Sequence, residues 1–302
     1  MTSSDPTALE QASNALADAV ARAAVHTVRV NARRRVPASG IAWGDGLIVT
    51  TDHVIEQEEE ITVGLPDGRE VGATLVGRDP GSDLAVLRVA EGGPAAPEAA
   101  PDGSVRVGNL ALALGRPGSG VQASLGAVSA VGGAWRGRGG AEVEGFIRSD
   151  TTFYPGFSGG PLIDARGRVI GINSSRFRPG PGITIPLSAV RRIVETLVTQ
   201  GRIRRPYLGI GSQTTRLPAA LAAKVDGQDS GLLIVGVEED SPAGRAALLV
   251  GDILIAFDGG AVTTTDGLQS ALGATSVGAT ATLRVLRGGE PQDIAVALGE
   301  RG

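Results

Sequence analysis

Glycine and proline interrupt the apolar stretches of this chain at short intervals along almost its whole length. The 302 residues include 46 glycines and 17 prolines, whereas aromatic residues make up only 3%. Because both residue types favour turns and end regular elements, this pattern predicts many short strands joined by tight turns. We therefore expect a mostly β fold with few helices, and the length is sufficient for about two domains.

Two stretches follow a helical period. Apolar residues recur at helical spacing between residues 9 and 23, so we expect a short N-terminal helix from about residue 6 to residue 23. A second amphipathic helix is predicted at 188–199, ending before Gly201. These boundaries predict an N-terminal helical segment at 1–24, a strand-rich domain at 25–200, a basic linker at 201–206 and a second strand-rich domain at 207–302.

The composition argues against several classes of function. The chain carries 28 basic and 32 acidic side chains, a net charge of -4, and the basic residues are scattered, so we expect no nucleic-acid partner. Cysteine is absent, which excludes disulfides, thiolate metal sites and a cysteine nucleophile. The acidic run at 58–60 lacks partner ligands at suitable spacing, so we expect a solvated turn there rather than a metal site. We expect no cofactor.

No signal peptide and no membrane-spanning stretch is recognisable in the sequence. This predicts a cytoplasmic protein without a membrane span. If the chain is a processed form of a longer one, the expected location is instead the periplasm or the cell envelope.

A serine framed by glycines lies in the stretch 155–162, Pro-Gly-Phe-Ser-Gly-Gly-Pro-Leu. A serine hydroxyl becomes a strong nucleophile when a base removes its proton, and the oxyanion that then forms needs preorganised donors. Glycine supplies such donors, because a backbone without Cβ can turn sharply and point N–H groups at a substrate oxygen. Ser158 is therefore a candidate nucleophile, and the alternative is that the stretch is a surface turn.

Few residues could act as the base for Ser158, because the chain has only two histidines and one lysine. Lys224 falls in the second domain, and His26 is expected inside the first strand, where a structural role is favoured. His53 follows a predicted buried strand, which can hold the ring rigidly while it faces a cleft, so it is the best candidate. Asp83 stands at the start of another predicted strand and is either a local cap or a carboxylate that orients the histidine.

Five short motifs follow one another along the chain. They are Ile-Val-Thr-Thr-Asp-His-Val at 48–54, Ser-Asp-Leu-Ala-Val-Leu at 82–87, Gly-Phe-Ser-Gly-Gly-Pro-Leu at 156–162, Gly-Ile-Asn at 171–173 and Tyr-Leu-Gly-Ile at 207–210. The first three contain His53, Asp83 and Ser158 in the order that chymotrypsin-like folds use. The chain therefore resembles the high-temperature-requirement (HtrA) serine proteases, which pair a trypsin-like domain with a PDZ domain. The resemblance covers nearly everything after the first helix.

The resemblance implies a chymotrypsin-like double β-barrel followed by a PDZ domain. The active site would lie in the cleft between the barrels, with His53 and Asp83 from the first barrel and Ser158 from the second. His53 would take the proton of Ser158 and later deliver it to the leaving amine, while Asp83 would fix the tautomer of the histidine. The backbone N–H groups of Gly156 and Ser158 would form the oxyanion hole.

The resemblance also bears on specificity. The position six residues before the nucleophile forms the floor of the primary pocket in trypsin-like enzymes, and here it is Thr152. Because this position is not acidic, and Ile183 and Thr184 are expected near the wall, the pocket should fit small aliphatic residues such as Val or Ala. The family usually has Asn before the nucleophile, where this chain has Phe157, so the loop needs another way to hold its turn.

The motif at 207–210 resembles the carboxylate-binding loop of PDZ domains, which bind an extended peptide as an added strand. The residues expected at the peptide are Leu208, Gly209 and Ile210 of this loop, with Leu268 and Leu272 of a short helix on the other side of the groove. The alternative is that the apolar residues among them only fill the core.

Together these features imply a serine endopeptidase that acts on unfolded or damaged proteins, with a PDZ domain that binds peptide C-termini for substrate selection or regulation. The competing hypothesis is a peptide-binding scaffold or chaperone whose protease domain is impaired by Phe157. The resemblance also implies a homo-oligomer, a trimer, although the aromatic residues that family trimers commonly use are absent before Trp43.

Overall fold

The structure, a computed structural model, describes residues 7–136, 142–177 and 182–300. It divides into two compact units, of which the first extends to Ile203 and the second begins at Arg204. The first unit contains two β-barrels and two helices, and the second contains a twisted antiparallel sheet with short helices.

The N-terminal segment forms a helix, α1 (Ala8–Ala24), as its helical spacing of apolar residues predicted. Thr7 caps it through a capping box, in which the Thr7 hydroxyl accepts from Glu10 N and the Glu10 carboxylate accepts from Thr7 N. The helix thus begins later than expected, and residue 6 lies outside the described residues. Its buried face, with Ala19 and Ala23, packs into the core of the first unit.

Six antiparallel strands form the first barrel. They are β1 (Thr27–Asn31), β2 (Ala38–Gly44), β3 (Leu47–Thr50), β4 (Thr62–Gly64), β5 (Glu70–Asp79) and β6 (Leu84–Val89). They pair in the order β1-β2-β3-β6-β5-β4, and β4 closes on β1. Branched side chains such as Val28, Ile48 and Leu87 fill the interior, as expected for short strands rich in valine and isoleucine. A 3₁₀ turn (Asp52–Val54) follows β3 directly.

The second barrel also has six strands, with a two-stranded ribbon between its second and third. In chain order the strands are β7 (Leu110–Gly115), β8 (Gln122–Gly132), the ribbon strands β9 (Trp135–Arg136) and β10 (Glu142–Val143), then β11 (Phe146–Ser149), β12 (Pro161–Asp164), β13 (Val169–Ser174) and β14 (Ile183–Pro186). The barrel order is β11-β14-β13-β12-β7-β8, and β8 closes on β11. The turn that carries Ser158 therefore connects β11 to β12.

The two barrels share a core. Leu84 and Val86 of β6 belong to the same buried cluster as Ile163 of β12 and Ile172 of β13. The helix α2 (Leu187–Gln200) covers this junction, with contacts to β5 and β6 of the first barrel and to β13 and β14 of the second. It ends at Gly201, whose φ of 74° is the left-handed conformation that favours glycine at a helix C-terminus.

The second unit has its own sheet and core. Its elements are β15 (Pro206–Tyr207), β16 (Ile210–Arg216), α3 (Ala219–Ala222), β17 (Ser230–Val237), α4 (Pro242–Arg245), β18 (Ile253–Phe257), β19 (Gly260–Ala261), α5 (Thr265–Gly273), β20 (Thr280–Arg287), β21 (Glu290–Ala297) and β22 (Gly299–Glu300). The main sheet runs β16-β17-β18-β20-β21, so β16 lies at one edge.

The expectation of a mostly β fold with few helices is confirmed. Among the described residues, no helix has the length and apolarity needed to cross a membrane.

Candidate active site

His53 lies on the 3₁₀ turn after β3, and its ring is only partly exposed. Its Nδ1 is 2.8 Å from Asp83 Oδ2 and 3.0 Å from Asp83 Oδ1, and its backbone N–H donates to Oδ1 at 3.0 Å. Because the carboxylate faces Nδ1, the neutral ring carries its proton there, which leaves Nε2 as an acceptor. The carboxylate thus sets both the position and the tautomer of the ring.

Asp83 is completely buried and precedes β6 with a φ of 59°, a left-handed conformation that aspartate tolerates better than most residues. Besides His53, its carboxylate accepts from the hydroxyl of Ser174, with 2.5 Å between Oγ and Oδ2. Of the two roles left open by the sequence, this arrangement favours a carboxylate that orients the histidine. Ser174 was not singled out from the sequence, although it directly follows the Gly-Ile-Asn motif.

Charged side chains surround this pair. Arg176 Nη1 is 3.7 Å from Asp83 Oδ1 and 3.5 Å from Oδ2 of the buried Asp52. Arg78 Nε donates to Asp52 Oδ1 at 2.6 Å, and its Nη1 contacts Glu58 at 2.9 Å. Burial disfavours the charged form of Arg78, but the interactions with Asp52 and Glu58 outweigh it and raise the pKa of this guanidinium. Sequence patterns gave no signal for this network, because its members lie on different elements.

Ser158 is buried at the tip of a tight turn. Gly156 has a φ of 89°, and a Cβ at this position would come within 2.6 Å of Pro117 Cβ and Pro37 O, so only glycine fits. The hydroxyl of Ser158 is 2.9 Å from Ser175 Oγ and accepts from Ser175 N at 3.3 Å. Within the described part of the chain, no hydrogen bond joins Ser158 to His53.

The N–H groups around Ser158 fall into two classes. Phe157 N donates to Tyr154 O at 3.0 Å, and Gly159 N donates to Asn173 O at 2.8 Å. By contrast, the N–H groups of Gly156 and Ser158 donate to no acceptor among the residues that the structure describes. These two donors are the ones expected from the sequence to face a substrate oxygen.

Phe157 is completely buried in the core of the second barrel. Its ring lies over Gly115, where a Cβ would approach Cδ1 to 2.6 Å, and it makes an edge-to-face contact with Tyr154 at 5.3 Å between centroids. Apolar packing of the Phe157 ring therefore holds this loop, in place of the Asn side chain that is usual at this position. Sequence patterns could not have revealed this packing, because Gly115 lies on β7 and Phe157 on the later turn between β11 and β12.

The three residues expected at the primary pocket differ in their surroundings. Thr152 is exposed, whereas Ile183 and Thr184 are buried on β14. The Thr184 hydroxyl donates to Asn173 Oδ1 at 2.8 Å, so it is already occupied within the barrel. A residue that the sequence did not single out, Phe153, lies against Gly182, where a Cβ would come within 2.9 Å of its ring.

The other candidate bases have different partners. His26 lies between α1 and β1 rather than inside a strand, and its Nδ1 is 2.7 Å from Ala95 O. Lys224 lies in the second unit, where Nζ contacts Glu290 at 2.6 Å. The structure therefore brings His53, rather than either of these two, into contact with a buried carboxylate.

In the second unit, the residues expected at a bound peptide contribute to one buried cluster. Leu208, Leu268 and Leu272 are buried there, and Ile210 packs against it. Gly209 has a φ of 84°, and a Cβ at this position would collide with Ser241. The three leucines thus belong to the core of this unit, while β16, which begins at Ile210, lies at an edge of the described sheet.

Known protein families and solved structures share the domains described above. Residues 38–172 match a trypsin-like peptidase domain, and residues 206–298 match a PDZ domain. A solved structure of the HtrA-type protease AlgW with a tripeptide superposes with a TM-score of 0.69 and 31% identity, over 95% of this chain and 97% of that one. The chain belongs to the HtrA-type serine proteases. Both the resemblance and the expected fold, a double β-barrel followed by a PDZ domain, are confirmed.

Other similar proteins are also named as serine endoproteases. The crystal structure of a serine endoprotease from Yersinia pestis has a TM-score of 0.75 and 28% identity, over 99% of this chain and 100% of that one. The periplasmic pH-dependent serine endoprotease DegQ of Escherichia coli is 34% identical over 263 residues, which are 84% of this chain and 56% of DegQ. A probable periplasmic DegP-like endoprotease of Pseudomonas fulva is 33% identical, with 84% of this chain and 54% of the relative covered.

The first curated relatives correct one expectation. This chain spans only 54–59% of the length of the first three of them. All three are named as probable periplasmic serine endoproteases, and DegQ is named as periplasmic, so the expectation of a cytoplasmic protein is wrong. That expectation depended on the absence of a recognisable signal in the sequence, which is weak evidence about location.

Proposed function

We propose that this protein is a serine endopeptidase that hydrolyses peptide bonds in unfolded or damaged proteins, in the periplasm as its relatives are named. The observation that carries the proposal is the buried Asp83 carboxylate, which contacts both the Nδ1 and the backbone N–H of His53. Consecutive residues connect this pair to the serine, because Ser174 bonds Asp83 and Ser175 bonds Ser158.

In the proposed mechanism, His53 Nε2 accepts the proton of Ser158 while Oγ attacks the scissile carbonyl carbon. The carbonyl π electrons move to oxygen and form a tetrahedral oxyanion. Asp83 stabilises the imidazolium, which then protonates the leaving amine as the acyl-enzyme forms. Water repeats the sequence with His53 as base, releases the carboxylic acid and restores Ser158.

The N–H groups of Gly156 and Ser158 are proposed to bind the oxyanion. Their lack of acceptors among the described residues supports this role, since both remain available to a ligand. In other acyl-transfer enzymes, loss of one such donor lowers kcat by about a hundredfold to a thousandfold.

The hydroxyl of Ser158 has to turn before it can react. In the structure it is hydrogen-bonded to Ser175 Oγ and Ser175 N. In the proposed mechanism, the Ser158 hydroxyl exchanges its bond to Ser175 Oγ for one to His53 Nε2. We therefore propose that the structure represents a resting arrangement of the active site.

The proposed primary pocket involves Thr152, Ile183 and Thr184 and accepts small aliphatic residues such as Val or Ala. The absence of an acidic residue at position 152 argues against cleavage after Lys or Arg. Phe153, whose ring lies against Gly182, is a further candidate for the wall of this pocket. A panel of peptides that differ only in the residue before the scissile bond would test the preference.

The PDZ domain is proposed to bind peptide C-termini. Leu208, Gly209 and Ile210 would supply the carboxylate-binding loop, and the free edge of β16 would pair with the peptide as an added strand. Leu268 and Leu272 of α5, which are part of the core cluster, would line the other side of the groove. Structures of the relative AlgW are described with a decapeptide and with a tripeptide.

The trimer implied by the family stays a prediction, which sedimentation equilibrium would check.

Degradation of casein tests the proposal most simply. We expect the protein to degrade casein without ATP or a metal, and a hydrophobic peptide with a free C-terminus to change the rate. Ser158→Ala should abolish degradation and keep peptide binding. Peptide binding without casein degradation by the unmodified protein would instead support the scaffold or chaperone hypothesis.

A further inference from the structure

Ser39 lies on β2, where the first barrel meets the turn that carries Ser158, and it is completely buried. Its hydroxyl donates to Gly156 O at 2.6 Å and accepts from Arg116 N at 2.7 Å. Its backbone N–H donates to Ser158 O at 3.1 Å. Ser39 therefore contacts the backbone on both sides of Phe157.

These contacts fix the orientation of the peptide units around the serine. A peptide unit is planar, so a hydrogen bond to Gly156 O orients the whole unit between residues 156 and 157. The bond to Ser158 O does the same for the unit between residues 158 and 159. The unit between them, 157–158, contains the Ser158 N–H and is held by Gly160 N, which donates to Phe157 O at 3.0 Å. Ser39 therefore acts on the Ser158 N–H through the two neighbouring peptide units, and on the Gly156 N–H through the carbonyl of the same residue. Ser39 itself is anchored through its carbonyl, which accepts from Thr50 Oγ1 at 2.7 Å.

Arg116 connects this arrangement to the N-terminal helix. Its guanidinium donates to three carbonyls, those of Ala24 at 2.8 Å, Thr27 at 2.7 Å and Ser119 at 2.7 Å. Ala24 is the last residue of α1, and Thr27 is the first residue of β1. Burial lowers the pKa of the Arg116 guanidinium, and the contacts to three carbonyls offset part of the cost of that burial.

We propose that Ser39 is a positioning residue for the oxyanion donors, and that Arg116 connects it to the junction of α1 and β1. The end of α1 then sets how well the N–H groups of Gly156 and Ser158 are aimed. The inference rests on the proposed function, because it assumes that these two groups bind the oxyanion. It assigns a role in the reaction to two residues outside the motifs that contain His53, Asp83 and Ser158.

The first test compares Ser39→Ala with the unmodified protein on a short peptide substrate. Removing the hydroxyl leaves Gly156 O and Arg116 N without their partner, so the turn loses its orientation. We expect kcat to fall by about tenfold to a hundredfold, less than for complete loss of an oxyanion donor, with KM unchanged. Affinity for a peptide boronic acid, which forms a tetrahedral adduct, should fall by the same factor. Ser104→Ala is the matched control, because that exposed hydroxyl also donates to a carbonyl at 2.6 Å.

Two further variants separate positioning from a merely structural role. Ser39→Cys keeps a group that can both donate and accept, although more weakly than a hydroxyl, and should give an intermediate kcat. Arg116→Met should lower kcat less than Ser39→Ala. Because Arg116 acts through Ser39, the double variant should have the kcat of Ser39→Ala alone, whereas independent effects would multiply.

The outcomes distinguish this inference from the proposed function. If the unmodified protein hydrolyses the peptide and Ser39→Ala has the same kcat, the positioning role is wrong while the proposed function stands. A loss in which KM rises and boronate affinity is unchanged would also overturn it, as would multiplicative effects in the double variant. No hydrolysis by the unmodified protein would reject the proposed function itself.

Discussion

In the first barrel, His53 and Asp83 are held by charged and polar side chains, whereas in the second barrel the turn around Ser158 is held by packing and by backbone hydrogen bonds. Asp83 contacts His53, Ser174 and Arg176 through its carboxylate. The Ser158 turn depends instead on the buried ring of Phe157 and on hydrogen bonds to main-chain oxygens.

This contrast suggests that side-chain interactions determine the properties of the base, whereas backbone packing determines those of the oxyanion hole. A side-chain network in a low-dielectric environment can set the charge and tautomer of a group, which is what a base requires. An oxyanion hole requires fixed N–H directions, which come from the backbone and so from whatever packs against it. Changes at the His53–Asp83 pair of the first barrel should therefore affect chemistry more than folding, and changes at the Ser158 turn of the second should affect both.

The largest expected effect comes from Asp83→Asn. By analogy with the same change in other serine proteases, kcat should fall by about ten-thousand-fold, because the amide favours the wrong histidine tautomer. The buried hydrogen bonds are largely kept, so the midpoint of urea unfolding should change little. Peptide hydrolysis and urea titration of the same preparation check this. A large loss of stability with a small loss of kcat would contradict the division between the barrels.

Phe157→Ala should affect folding and activity together. Deleting a buried aromatic ring costs about 3–5 kcal/mol in the free energy of unfolding, and here it also releases the Ser158 turn. Urea titration and peptide hydrolysis measure the two effects. Phe157→Leu, which keeps an apolar anchor, should recover most of both. Full activity in a strongly destabilised Phe157→Ala protein would show that the ring does not hold the turn.

Arg78→Met tests the network of the first barrel. It removes the 2.6 Å partner of the buried Asp52, so we expect a loss of about 1–3 kcal/mol in the free energy of unfolding. Arg69→Met in the same barrel is the matched control, since the pair of Arg69 with Asp67 is exposed and should contribute less than about 1 kcal/mol. Equal losses for the two variants in thermal or urea unfolding would mean that burial of Asp52 adds nothing.

The smallest effect is expected for Ser175→Ala. It removes the hydroxyl that is 2.9 Å from Ser158 Oγ and should ease rotation of Ser158 toward His53. One hydrogen bond of ordinary net strength corresponds to an increase of about two- to tenfold in the acylation rate. The burst phase with an activated ester measures this rate. A slower burst would mean that Ser175 supports the reactive rotamer instead.

Much of the architecture could be predicted because it depends on local patterns. Strand-length apolar runs between glycines and prolines gave the β fold, and motifs around His53, Asp83 and Ser158 gave the candidate site. The contacts of Ser39, Arg116 and Arg176 could not be predicted, since each joins segments far apart in the sequence. Phe157 shows how far sequence-based prediction reaches. That it departs from the family pattern was evident from the sequence, but its buried position opposite Gly115 depends on the tertiary fold.

Labelling with a fluorophosphonate probe tests the proposed triad most directly. The native protein is treated with the probe and digested, and the modified residue is located by mass spectrometry. We predict one label per chain on Ser158, with none in Ser158→Ala and a strongly reduced rate in His53→Ala. An unlabelled Ser158 in the folded native protein, or labelling that His53→Ala leaves unchanged, would contradict the assignment of His53 as its base.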